Sequence, residues 1–87
     1  MAMTLDLTGK RVLITAGTKG VGEATVAFFH KAGAQVMTTA RHAPAATPAD
    51  IFVDADLSTY DGCETVVAEV ERHWGGVDAI VHVLGGS

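Results

Sequence analysis

The chain has 87 residues, 48% of them hydrophobic and 18% charged, with a net charge of −4. That length suits one small domain and not two, and the composition can bury a core. The excess of acids, with Lys10, Arg11, Lys19, Lys31, Arg41 and Arg72 scattered along the sequence, argues against a nucleic-acid face or a polybasic membrane patch.

Taken in chain order, the start MAMTLDLTGK lacks the charged head and long apolar run of a secretory leader. Residues 11–16 (RVLITA) read as a first strand, ending in small residues. Residues 20–32 read as a helix, with Val21, Ala24 and Phe28 on its apolar stripe and Gly33 as its stop. Residues 35–40 (QVMTTA) form a second strand. Residues 43–49 (APAATPA) carry both prolines and read as a connecting loop. Residues 51–54 (IFVD) form a third strand.

Ser58 then opens a second helix as its cap, with Asp61 completing an S-x-x-D box. Cys63, Val66, Val67, Val70 and Trp74 supply its apolar stripe, and Gly75 and Gly76 end it. Residues 78–84 (DAIVHVL) are a fourth strand. The strands are continuously apolar instead of alternating, which suits a sheet covered on both faces, and strands separated by helices point to parallel βαβ units. The expected fold is α/β: a Rossmann-type doubly wound parallel sheet in the order 3-2-1-4, with the helices on opposite faces. No apolar run exceeds strand length, so no membrane-spanning helix is expected. Cys63 is the single cysteine, which excludes an internal disulfide and suits a reducing, cytoplasmic compartment.

The chemistry lies in ITAGTKGVG (residues 14–22), which joins a strand to a helix inside the first βαβ unit. Residues without bulk let backbone amides approach a pyrophosphate at the positive end of a helix. Lys19 is followed by Gly20 and not by Ser or Thr, which disfavours a mononucleotide phosphate loop. A dinucleotide site is therefore expected, with a plain glycine-rich turn as the other reading.

Three segments resemble the short-chain dehydrogenases/reductases. TAGTKGVG (residues 15–22) resembles the family's T-G-x-x-x-G-x-G signature, DADLS (54–58) its third-strand end, and DAIVHVLGG (78–86) its D-I-L-V-N-N-A-G segment. The resemblance spans essentially the whole chain. It implies cofactor contacts at Gly17, Thr18, Lys19, Gly20, Val21 and Gly22, at Asp56 (adenine) and Leu57, and at Val83, Leu84 and Gly85. Two positions depart from the pattern. Ala16 stands where the family's first motif glycine would be, and is tolerated there only with a negative φ. His82 and Val83 replace both asparagines. His82 reads first as a core or near-core histidine bonded to a backbone group, with a strand-tying or catalytic role as the alternatives.

The second strand ends in Ala40 and Arg41, where an NAD enzyme commonly places a carboxylate and an arginine accommodates a 2′-phosphate. Lys19 lies where the family's NADP-preferring members often carry a base. NADP is thus favoured over NAD, against the plain reading of both cations as solvated surface charges. The histidines are too scattered for a metal site, Cys63 reads as buried, and Arg11 reads as facing solvent.

The family's catalytic Ser, Tyr and Lys are not found. Tyr60 is the only tyrosine, and Glu64 stands where Y-x-x-x-K needs a lysine. The expectation is a partial dinucleotide-binding domain over residues 1–87: the cofactor half of an NADP-dependent oxidoreductase acting on a small carbonyl or alcohol, inactive by itself. The alternative is a non-catalytic nucleotide- or partner-binding module of this length. Homo-oligomerisation, or association through the exposed edge of the fourth strand, is also expected. Val12, Ile14 and Ile80 would then lie partly in water without a partner.

Overall fold

The computed structural model describes residues 6–16, 20–44 and 46–83. Four strands, β1 (Arg11–Thr15), β2 (Gln35–Ala40), β3 (Ile51–Asp54) and β4 (Ala79–His82), alternate with two helices, α1 (Gly20–Lys31) and α2 (Tyr60–Trp74). All pairings are parallel and the sheet order is β3-β2-β1-β4, as the alternation of elements predicts. Thr15 pairs with Thr39 on one side and His82 on the other, so the carboxyl ends of the three strands come level.

Side chains alternate across the sheet and define two cores. Val12, Ile14 and Val36 meet Val26 of α1 on one face; Leu13, Met37 and Val53 meet Val66 and Val70 of α2 on the other. The helices therefore cover opposite faces. Met37 and Ile14 are completely buried and anchor the two sides. Val12 and Ile14 are sealed within this chain alone, against the expectation that they would remain partly wet. β1 is central, so α1 covers its whole face. Ile80, on the outer strand β4, does stay 62% exposed.

Three helix details differ from the sequence reading. The buried side of α1 carries Gly22 and Val26, while Val21, Ala24 and Phe28 are exposed. Two overlapping stripes exist on this apolar helix, and the one holding Gly22 and Val26 faces the sheet. On α2 the buried line is Gly62, Val66 and Val70, with Trp74 half-buried beside it. Cys63 and Val67, about 100° round the helix from that line, are exposed. The cap of α2 is Thr59, whose hydroxyl accepts the Gly62 N–H at 2.9 Å, and not Ser58. Ser58 is occupied elsewhere: its N–H and hydroxyl both donate to Asp56 Oδ1. Gly75 ends α2 in the left-handed region (φ 72°), its N–H returning to Val70 and Glu71 carbonyls, as the glycine stop requires.

At the amino edge of the sheet, Arg11 does not simply face solvent. It donates to Asp78 Oδ2 and to the Trp74 carbonyl at 2.8 Å, tying the start of β1 to the turn between α2 and β4. This holds the Asp78 carboxyl below the usual aspartate range. β1 ends at Thr15 rather than Ala16, and β4 spans Ala79–His82 rather than 78–84; Leu84 lies outside the described residues.

Candidate cofactor site

The carboxyl edge of the sheet gathers the strand ends Thr15, Ala40, Asp54 and His82, with Ala16, Arg41, Asp56 and Val83 just past them. The chain runs outward from β1 to β3 and then returns to place β4 on the other side of β1. A crevice at such a reversal is the ligand position of open parallel sheets. The amino end of α1, starting at Gly20, belongs to the same edge, so its free amides and dipole favour an anion there.

Threonine hydroxyls stitch this edge together. Thr38 Oγ1, fully buried, donates to the Ile14 carbonyl at 2.7 Å. Thr39 Oγ1 accepts a long 3.5 Å bond from the Ala16 N–H. Thr15 Oγ1 accepts from the Val83 N–H at 3.2 Å and lies 2.8 Å from His82 Nδ1. His82 is exposed and its partner is a side-chain hydroxyl, which corrects the reading of a near-core histidine bonded to backbone. No sequence pattern signals that pairing, because the register of two strands 67 positions apart creates it.

Ala16 has a φ of 56°, again contrary to expectation. An L-residue in the left-handed region carries strain that glycine avoids.

Of the residues implied by resemblance, Gly17, Thr18, Lys19, Leu84 and Gly85 lie outside the described residues. Gly20 starts α1, Gly22 lies on its buried face, and Val21 is 75% exposed. Arg41 is exposed just past β2. Asp56 accepts from the Ser58 hydroxyl at 2.6 Å and its N–H at 2.9 Å, which holds its carboxyl below the usual range, with the Arg41 charge a smaller pull. Both bonds fall on the same carboxylate oxygen, Oδ1. Leu57 and Val83 are half-buried and pack against the α2-side and α1-side cores respectively. Each thus has a structural contact irrespective of any ligand. Gly62 was not singled out from the sequence, yet it lets α2 approach closely: a Cβ there would strike the Asp56 carbonyl. Among the described residues there is no cluster able to hold a metal and no helix long and apolar enough to cross a membrane.

The parallel order β3-β2-β1-β4 with a helix on each face defines a Rossmann-type sheet protein. The family model of the short chain dehydrogenases matches residues 10–87, and the chain belongs to that family. It is 32% identical over 91 residues to L-fucose dehydrogenase of Bos taurus, covering 98% of this chain and 34% of that protein. The crystal structure of L-sorbose reductase from Gluconobacter frateurii, complexed with NADPH and L-sorbose, superposes with a TM-score of 0.83 at 28% identity, covering 95% of this chain and 36% of that one. A short chain dehydrogenase from Leptospira borgpetersenii with bound NAD+ shares the fold, with a TM-score of 0.80 at 20% identity over 94% of this chain and 34% of that one. The chain spans about a third of the length of the curated relatives it matches.

Proposed function

We propose that this chain forms the cofactor-binding part of an NADP-dependent oxidoreductase that moves a hydride between the nicotinamide and a small carbonyl or alcohol. Arg41 carries the preference. It stands free of hydrogen bonds among the described residues at the end of β2, directly after Ala40. A carboxylate at position 40 would repel a 2′-phosphate; alanine does not, and an adjacent guanidinium attracts it. The α1 amides would take the pyrophosphate, and the family resemblance adds Asp56 for the adenine and Lys19 as a second cation for the 2′-phosphate. The cofactor would supply the hydride, and this chain's residues would bind and orient it.

The substrate pocket and the family's catalytic Ser, Tyr and Lys would come from chain beyond these residues. A non-catalytic binding module remains the second reading, since Tyr60 lacks its lysine partner at position 64. A purified mass at the 9.0 kDa of this sequence would support the module; a much larger one would support the enzyme. The exposed thiol of Cys63 fits a reducing compartment such as the cytoplasm.

Calorimetric titration with NADP and NAD tests the cofactor assignment. Arg41→Ala should weaken NADP binding by about 1.5–3 kcal/mol, the range for a hydrogen bond to a charged group, and leave NAD nearly unchanged. Equal losses for the two cofactors would refute it.

A further inference from the structure

His82 ends the outer strand β4, beside β1, at the sheet edge where a ligand would lie, and the proposed cofactor contacts leave it unused. Its Nδ1 sits 2.8 Å from Thr15 Oγ1. The proton between them can be assigned from the surroundings. Thr15 is only 6% exposed, and its oxygen already accepts the Val83 N–H at 3.2 Å. A buried hydroxyl proton needs an acceptor of its own, and Nδ1 is the one within reach among the described residues. The hydroxyl therefore donates to Nδ1, which must be bare, and the ring proton resides on Nε2. Nε2 lies across the ring from Thr15, on an exposed side chain, and has no partner among the described residues.

We infer that Thr15 holds His82 as the Nε2–H tautomer, so that the ring presents a hydrogen-bond donor to an oxygen of the bound dinucleotide. The ligand half of this inference rests on the function proposed above; the tautomer half does not. A histidine left to itself distributes the proton between its two nitrogens, and fixing it on one means no reorganisation when the ligand arrives. Thr15 acts through His82 and is a positioning residue; His82 is the contact.

Ring-nitrogen NMR of the labelled full chain, at about pH 8 where an ordinary imidazole is neutral, reads the tautomer without any ligand. The expected spectrum has a protonated Nε2 and a bare Nδ1. Thr15→Ser should preserve it, and Thr15→Val, which removes the hydroxyl, should admit the Nδ1–H form and give the tautomer mixture of a free imidazole. NADP should then shift the Nε2 signal. His82→Asn, whose shorter amide can still accept from Thr15, should lower NADP affinity about 2- to 12-fold, the worth of one neutral hydrogen bond. A native ring protonated on Nδ1 would overturn the tautomer assignment. An Nε2 signal unmoved by bound NADP, or unchanged affinity in His82→Asn, would overturn the ligand contact. If neither NADP nor NAD binds at all, the proposed function fails together with that contact, while the ligand-free spectrum still judges Thr15.

Discussion

Replacing Ala16 with glycine should make this protein more stable, although it removes a methyl group and loosens the chain. The φ of 56° at Ala16 places an L-residue in the left-handed region, at a cost of about 1–2 kcal/mol. Glycine abolishes that cost. Its extra freedom in the unfolded chain returns about 0.4–1 kcal/mol. The methyl is exposed, so little burial is lost with it. The balance favours Ala16→Gly by about 0.5–1 kcal/mol, equivalent to about 2–8 °C in Tm for a domain this size. Urea unfolding followed by circular dichroism, at matched protein concentration, measures the difference directly. Ala16→Val supplies the opposite arm, because a β-branched side chain fits the left-handed region worse than alanine. A glycine variant equal to or less stable than the parent, or a valine variant that is not destabilised, would refute the claim of strain.

Other outcomes follow from the packing and the charges. Gly62→Ala should destabilise by about 1–3 kcal/mol, the usual cost of overpacking, since its Cβ meets the Asp56 carbonyl; an unchanged urea midpoint would contradict it. Asp78 has a lowered carboxyl pKa through Arg11, so its contribution is present above the ordinary aspartate value of 3.8 and is lost as pH falls through the lower folded value. Asp78→Asn should therefore flatten the loss of stability in that acid window, and an unaltered stability-against-pH curve would count against the pairing. The outer edge of β4 and the exposed Ile80 should make the chain associate in sedimentation, with Ile80→Glu shifting it toward smaller species. A folded, non-associating monomer of the parent chain would show that edge to be harmless.

Local sequence specified much of this molecule. Continuous apolar runs separated by helical patterns are enough to require a parallel sheet, and the crossover rule then leaves few orders for four strands. Gly75 as the stop of α2 and the proline-bearing loop before β3 were equally legible, because each depends on backbone preferences of the residues themselves. The face of α1 was not. Val21 and Phe28 make as good a stripe as Gly22 and Val26 until the sheet beneath decides which is covered. The cap of α2 moved from Ser58 to Thr59 because Asp56 had claimed the serine. The positive φ at Ala16 runs against the preference of its own side chain. The pairing of Thr15 with His82, like that of Arg11 with Asp78, exists only once distant strands are in register. Elements follow from short-range backbone and side-chain preferences, whereas partners, buried faces and tautomers are settled by contacts between segments far apart in the chain.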